Sequence, residues 1–123
     1  MSCMLNSNKV QVYKVSVNQQ YTDNVLDNTF ILYPEIRRVD FHIVFTNKIA
    51  IPDWAKIASI PEQCLGTEEN IGTWNGLAVY PNGTNCSVGV CYISPSNNGY
   101  IAPCGISSAK VGSTINLFGN YWF

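Results

Sequence analysis

The sequence predicts an all-β protein, and three observations lead to that class. Apolar and polar residues alternate over short runs, most clearly in residues 39–45, where all four odd positions are apolar. Turn-forming residues interrupt the chain about every eight to twelve positions, a spacing typical of sandwiches. Helix signals are scarce. At 123 residues the chain is long enough for one core. We therefore expect an antiparallel β-sandwich, jelly-roll-like, over residues 9–123.

Eight strands are expected, at residues 10–17, 29–33, 39–45, 57–60, 77–80, 86–93, 100–102 and 114–123. In the first of them, Val10 and Val12 are out of phase with Val15 and Val17, which predicts a β-bulge near residues 13–14. Asn82-Gly83 and residues 95–99 are turn signals, because Asn and Gly accept positive φ.

Three segments read as irregular. Residues 1–8 are expected to form a loose arm, or the join to a longer fibre. Pro52 and Asp53 allow one short helical turn that leads into Trp54, which we assign to structure. Residues 62–73 are expected to form a polar loop, in which the adjacent Glu68 and Glu69 are solvated and do not form a paired-carboxylate site.

The composition limits the possible partners. Charged residues make up only 12% of the chain, against roughly 25% in an average soluble domain. With a net charge of −1 and one basic doublet, Arg37-Arg38, nucleic acid is not an expected partner. No apolar run approaches the roughly 18 residues of a membrane span, so membrane insertion is not expected either. A hydrophobic content of 46% with so little charge favours self-association.

The cysteines predict neither a metal site nor a cofactor. The five cysteines show no metal-like spacing, and the chain has a single histidine. No signal peptide is visible at the start, so we expect synthesis in a reducing cytoplasm and free, buried thiols. The alternative is a disulfide between Cys86 and Cys91, which would require a tight turn at Gly89.

One pair of residues invites a catalytic interpretation. Asp40 and His42 share a strand face, so a hydrolytic triad with a Ser or Cys can be imagined. However, no nucleophile signature surrounds any Ser or Cys. We therefore expect no catalytic residue, and the protein is not expected to be an enzyme.

A second group of residues combines aromatic rings with side-chain amides in expected loops. A saccharide needs a flat apolar surface for its C–H face and amides for its hydroxyls, without the cost of desolvating full charges. The candidate ligand-binding residues are Trp74, Asn75, Tyr80, Asn85, Asn97, Asn98 and Tyr100. In the alternative interpretation, Trp74 and Tyr100 cap the core or pack between subunits. Asn82 and Asn85 also begin glycosylation acceptor patterns, which we attribute to coincidence.

Several segments together carry a resemblance to a known family. They are the strand at 39–45, the segment Ile57-Ala58-Ser59-Ile60-Pro61, residues 77–80, Tyr100-Ile101-Ala102 and the aromatic ending at 115–123. Over residues 25–123 the chain resembles the C-terminal receptor-binding (tip or head) domains of bacteriophage tail fibre and baseplate proteins. It departs from them at Gln63-Cys64-Leu65, where the family often has Arg-Pro.

The resemblance implies a β-sandwich assembled as a homotrimer, which would cover the aromatic ending Tyr121-Trp122-Phe123. It also implies a non-catalytic domain in the virion, at a tail or fibre tip, that binds a host cell-surface saccharide. One alternative is a structural virion module, such as a head fibre or decoration protein, that only assembles. The other is a small cell-wall hydrolase that uses Asp40 and His42.

Overall fold

The computed structural model describes residues 9–65, 72–79, 85–93, 99–106 and 109–122, with the backbone alone described in 72–79 and 85–93. Almost all the regular structure in this part of the chain is β-strand, which confirms the all-β class. Two short 3₁₀ turns, Pro34–Ile36 and Glu62–Cys64, accompany the strands. The strands are β1 (Gln11–Lys14), β2 (Asn24–Tyr33), β3 (Arg38–Thr46), β4 (Ala58–Ser59), β5 (Gly72–Val79), β6 (Asn85–Ile93), β7 (Tyr100–Pro103) and β8 (Thr114–Trp122).

The strands form one sheet in the order β1-β2-β3-β8-β5-β6-β7-β4, and every neighbouring pair is antiparallel. The two ends of this order also meet. Val17, three residues beyond β1, forms an antiparallel bridge with Ala58 of β4, and the Asn18 N–H donates to the Ile57 carbonyl at 2.8 Å. We call this junction the seam. The two-layer sandwich and the threefold assembly stay predictions.

The alternation of apolar and polar residues in β3 places its odd-numbered side chains in the core, as expected. Val39, Phe41, Ile43 and Phe45 are buried in the core, while Asp40 and His42 lie on the opposite side of the sheet, which we call the outer face. Full burial of one such side chain is worth about 1.5–3 kcal/mol, so β3 is a principal source of core stability. The core also takes residues from β2, β7, β8 and the segment before β4, among them Phe30, Leu32, Ile51, Ile57, Ile101, Ile115 and Leu117.

The prediction of a bulge in β1 is wrong. Pairing with β2 runs evenly along β1 to Lys14, and the Val15 N–H continues it by donating to the Asn28 carbonyl at 3.0 Å. Val15 and Val17 contact the core, whereas Val10 and Val12 are more than half exposed. The apparent change of phase arises because the first two valines simply lie on the outer face.

The irregularities lie in β2 and β6 instead. In β2, Val25 pairs with Phe45 and Asp27 pairs with Val44, the next residue of β3. Leu26 is therefore an extra, unpaired residue that forms a bulge. In the β5–β6 pairing, Trp74 pairs with Cys91 and Gly76 with Val88, so two residues of β6, Gly89 and Val90, oppose the single residue Asn75 of β5.

The path of β6 also bears on the cysteines. The strand runs through Gly89 without a turn, so Cys86 and Cys91 are separated by the length of about five strand residues, roughly 16 Å. A disulfide requires Cα atoms less than about 7 Å apart, so this pairing does not form within the strand. Cys64 and Cys104 are free thiols, and Cys64 is buried as expected.

The segment before β4 contains a turn at residues 52–55, but it is not the expected helical turn, because Trp54 has a left-handed φ. The Ala55 N–H donates to the Pro52 carbonyl at 3.2 Å, and the chain then runs into β4, which is shorter than the predicted strand. Trp54 has a φ of 67°, in the left-handed region that a bulky residue rarely adopts. Its backbone is structural, because its N–H donates to the Pro103 carbonyl, while 55% of the residue's surface is exposed.

A buried polar group connects the end of β3 to the start of β8. The Asn47 side chain accepts a hydrogen bond from the Ser113 N–H at 2.8 Å and donates to the Ile49 carbonyl at 3.2 Å. The Asn47 N–H in turn donates to the Ser113 carbonyl at 3.1 Å. Because burial makes unpaired polar groups costly, these bonds favour one alignment of the two strands.

Candidate functional site

A cavity of about 410 Å³ opens at the seam, where one bridge replaces a long ladder of hydrogen bonds. We call it the seam cavity. The core side is closed by Val17, Ile57 and Ala58, which are all buried. The complete lining is Ser16, Val17, Asn18, Gln19, Lys56, Ile57 and Ala58.

Lys56 connects the seam cavity to Tyr100. The Lys56 Nζ lies over the Tyr100 ring, 5.2 Å from its centre, within the range of a cation–π contact. The backbone brings these residues together, because residues 57–60 run antiparallel to β7 and Ser59 pairs with Tyr100. The Ile57 and Ile60 N–H groups add hydrogen bonds to the carbonyls of Ile101 and Gly99. The backbone segments that carry Tyr100 and Lys56 are therefore joined by antiparallel pairing.

Asn18 positions the opposite wall of the seam cavity. Its Nδ2 donates to the Lys56 carbonyl at 2.9 Å, and its Oδ1 accepts from the Gln20 N–H at 3.0 Å. Asn18 therefore joins the chain after β1 to the chain before β4. Gln19 and Ser16 are exposed at the cavity. These hydroxyl and amide groups can donate to or accept from the hydroxyls of a ligand.

A second cavity, of about 400 Å³, adjoins the seam cavity and shares Ser16, Val17 and Gln19 with it. Asp23 at its rim pairs with Lys48 at 2.9 Å, and the Asn28 Nδ2 donates to the Val15 carbonyl. The complete lining of this adjoining cavity is Val15, Ser16, Val17, Gln19, Thr22, Asp23, Val25 and Asn28. Residues 16, 17 and 19 therefore contribute to both cavities.

On the outer face, the structure separates the Asp40 and His42 pair that suggested a triad. Asp40 accepts two hydrogen bonds from the Arg38 guanidinium, at 2.7 and 3.3 Å. His42 instead places Nδ1 2.8 Å from Asp27 Oδ2 and Nε2 2.9 Å from Asn116 Oδ1. Asp40 thus does not orient His42, because Asp40 pairs with Arg38 of its own strand while His42 lies against Asp27 of β2 and Asn116 of β8.

Asp27 lies at the centre of this outer-face network. Burial raises the pKa of its carboxyl, but hydrogen bonds from Thr29, His42 and its neighbour's N–H outweigh burial, so the pKa is lowered overall. Lys14 contacts both Thr29, at 2.6 Å, and Asp27, at 3.8 Å. The network therefore keeps Asp27 charged and satisfies its oxygens within the sheet.

The far end of the outer face carries a layered aromatic group. The Arg38 guanidinium carbon lies 5.7 Å from the centre of the Tyr33 ring and 5.4 Å from that of Trp122. The register explains this arrangement, since Tyr33 pairs with Arg38 and Arg38 pairs with Trp122 on neighbouring strands. Trp122 is 57% exposed.

Of the seven sequence-predicted ligand-binding residues, Tyr100 contacts Lys56, a residue of the seam cavity. Trp74 and Asn75 lie inside β5, and Asn85 begins β6, so their expected placement in loops is wrong. A strand forms there because β5 pairs with both β8 and β6, and this long-range pairing overrides the local turn signals. Tyr80, Asn97 and Asn98 lie outside the described residues, as do the arm at 1–8 and the turn at Asn82-Gly83.

Lys56, Asn18 and Gln19 were missed by the sequence analysis. Nothing in their local pattern marks them, because the seam unites segments about forty residues apart that pair only in the folded chain. The run Asn18-Gln19-Gln20 is the one available signal, since three consecutive amides after a strand are consistent with an exposed polar edge.

Within the described part of the chain, no group of three or more His, Cys, Asp or Glu side chains is placed to hold a metal ion. No helix among these residues has the length and apolar character needed to span a membrane. Comparison with known proteins gives no match: no protein-family model, curated protein or solved structure corresponds to this chain.

Proposed function

We propose that this protein is a non-catalytic saccharide-binding domain, and that the seam cavity with Tyr100 is its binding site. The observation that carries the proposal is the contact of Tyr100 with Lys56, because Lys56 itself lines a cavity that also has hydroxyl and amide groups in its walls. An aromatic ring beside such groups provides the two kinds of contact that a sugar ring requires. The ligand is a cell-surface glycan of the host.

The outer-face histidine supports a non-catalytic role. A general base needs a ring nitrogen within reach of a substrate proton, but both nitrogens of His42 face oxygens of the protein, on Asp27 and Asn116. The Thr29 hydroxyl donates to Asp27 at 2.6 Å, so it is also engaged. The hydrolase alternative therefore has little geometric support on this face.

The domain acts, in this proposal, as a receptor-binding tip of a bacteriophage tail or fibre, with a jelly-roll-like sandwich assembled as a homotrimer. The bacteriophage assignment rests on the sequence resemblance. Self-association is supported by large apolar residues exposed on the described surface, among them Val12 at 60% and Trp122 at 57%. Apolar surface of this kind is typically covered by a partner, and a second and third copy of this chain would cover it.

A structural virion module that only assembles is the second candidate. The same exposed apolar residues favour it, because they concern assembly and not ligand binding. The two candidates differ at the seam cavity, which has no role in pure assembly. Binding measurements on seam variants therefore distinguish them.

The experiment uses Tyr100→Ala and a matched control, Tyr33→Ala. Both tyrosines are half-buried and lie under a cation, Tyr100 under Lys56 and Tyr33 under Arg38, but Arg38 does not line the seam cavity. We expect purified protein to bind immobilised bacterial cell walls, and Tyr100→Ala to weaken binding about tenfold or more, a loss expected from one aromatic contact. Tyr33→Ala should bind as the wild type does.

If the wild-type protein does not bind cell walls, the result would support the assembly module over the saccharide-binding domain. Equal losses in the two variants would remove the seam cavity as the site. Light scattering on the same samples tests the trimer, and a stable monomer would contradict the assembly part of the proposal.

A further inference from the structure

The surroundings of Lys56 differ from those of the other cations whose partners are described. Lys14 and Lys48 each lie within 4 Å of a carboxylate, on Asp27 and Asp23 respectively. Arg38 pairs with Asp40 in the same way. Lys56 is exposed and rests on the Tyr100 ring, and no carboxylate in the described part of the chain forms an ion pair with it.

The lining of the seam cavity is otherwise uncharged. Ser16, Asn18 and Gln19 bring hydroxyl and amide groups, and the remaining residues are apolar, so Lys56 is the one charged member. A cation beside a concave, partly apolar wall attracts anions more strongly than a cation on an open surface.

The position of Lys56 is also restricted. The Asn18 Nδ2 holds the Lys56 carbonyl, and the Ile57 N–H that follows donates to Ile101 at 2.9 Å. The Nζ rests on Tyr100, which uses the ring face but none of the three N–H donors in a conventional hydrogen bond. An anionic group at the cavity can therefore accept hydrogen bonds from Lys56 at a reduced entropy cost.

We propose that the seam cavity takes a saccharide with an anionic substituent, a carboxylate or a phosphate, that pairs with the Nζ of Lys56. The inference rests on the proposed function, since it specifies the ligand class of the same site. The sugar ring contacts Tyr100 and the amides, and the anionic substituent gives selectivity over neutral glycans. A carboxylate and a phosphate can both accept a charge-assisted hydrogen bond from the Lys56 ammonium group, and the test below distinguishes them.

The test measures binding of the intact chain to an array with equal numbers of neutral, uronic-acid-bearing and phosphate-bearing bacterial glycans. We expect acidic members to bind about tenfold more tightly than their neutral counterparts, as for one charge-assisted hydrogen bond. This preference should shrink in 0.5 M salt, because screening weakens a partly exposed ion pair. If the uronic-acid-bearing glycans bind more tightly than the phosphate-bearing ones, the anionic substituent is a carboxylate; the reverse order indicates a phosphate.

Three variants test whether the preference for acidic glycans depends on Lys56. Lys56→Met keeps most of the aliphatic stem and should lose the preference for acidic glycans, while Lys56→Arg should keep most of it. Lys14→Met is the matched control, because it removes an exposed lysine of the outer face that already pairs with Asp27. Thermal melting of each variant verifies that the fold is intact.

The possible outcomes distinguish a failure of the acidic-ligand inference from a failure of the proposed saccharide-binding function. Equal binding of neutral and acidic glycans, unchanged in Lys56→Met, would overturn the inference and leave the saccharide-binding function in place. Loss of the preference in Lys14→Met as well would also overturn it, because the effect would then reflect net charge. Absence of binding to every array member would contradict the proposed function itself.

Discussion

The Tyr121 hydroxyl donates a hydrogen bond of 2.7 Å to the carbonyl of Cys64, and this bond joins the last strand to the 3₁₀ turn Glu62–Cys64. The Tyr121 ring packs against the core, and burial raises the pKa of its phenol. The chain therefore covers part of its own aromatic ending. Trp122, the next residue, faces the other way and is exposed.

Removal of the Tyr121 hydroxyl should destabilise the fold. Tyr121→Phe keeps the ring but leaves the buried Cys64 carbonyl without this donor, so we expect a loss of about 1–3 kcal/mol in the free energy of unfolding. Urea denaturation measures it. Tyr33→Phe, on the outer face, is the control and should change little; similar losses in both variants would show that the bond to Cys64 has no special role.

The left-handed backbone at Trp54 should be visible in stability measurements. Its φ of 67° costs a residue with a Cβ about 1–2 kcal/mol that glycine does not pay. Trp54→Gly should therefore be more stable than Trp54→Ala by about 1 kcal/mol, although both lose the indole. Chemical denaturation of the pair provides the comparison. An alanine variant that is the more stable of the two would indicate that the turn relaxes when the indole is removed.

Gly99, just before Tyr100, should not tolerate alanine. Its φ of 57° disfavours any residue with a Cβ, and an added Cβ would run into Leu65 Cδ2. Its carbonyl also accepts the Ile60 N–H at 2.7 Å, so a shift of the backbone would disturb β4. We expect Gly99→Ala to lose about 1–3 kcal/mol of stability. A thermal melting temperature equal to that of the wild type would contradict the described turn.

The outer-face network should add a small dependence of stability on acid pH. The folded pKa of Asp27 is lowered, so the unfolded chain binds its proton first as the pH falls. The contribution is complete above the unfolded pKa, near 4, and is lost as the pH drops through the folded value. Asp27 is partly exposed, so the effect should stay below about 1 kcal/mol.

Asp27→Asn should therefore show a shallower decline of stability between about pH 4 and pH 2. Urea midpoints measured across that range supply the comparison. Asp23→Asn, at an exposed pair with Lys48, is the control and should follow the wild type. A decline as steep as that of the wild type in Asp27→Asn would assign the acid sensitivity to other carboxylates.

Thiol labelling should distinguish Cys64 from Cys104. Burial raises the pKa of the Cys64 thiol to about 11, so it stays protonated and shielded at pH 8. Cys104 is only half-buried. We expect iodoacetamide to modify Cys104 in the native protein, and Cys64 only after denaturation, as read by peptide mass spectrometry. Rapid native modification of Cys64 would be incompatible with its described burial.

Much of the fold was accessible from local patterns. The alternation in residues 39–45 identified β3 and its buried face correctly, and the strands β6, β7 and β8 were placed within a residue or two. Alternation is informative there because side chains on successive strand residues point to opposite faces. It failed for Val10 and Val12, since an apolar residue on an exposed face gives the same signal as one in the core.

The candidate site was far less accessible. Of its members, Tyr100 was identified, as an aromatic residue near an expected turn, while Lys56, Asn18 and Gln19 were not. The partner of His42 was also missed, because Asp27 lies on the neighbouring strand and Asp40 lies two residues away on the same one. Proximity in sequence was a poor guide to proximity across a sheet.

Residue order alone was sufficient for the all-β class, the inward face of β3 and the free, buried thiol at Cys64, because each depends on periodicity or composition over a few residues. The meeting of Val17 with Ala58, the place of Lys56 over Tyr100 and the pairing of His42 with Asp27 required the folded sheet. Those contacts depend on strand order and register, which arise from many weak long-range pairings acting together.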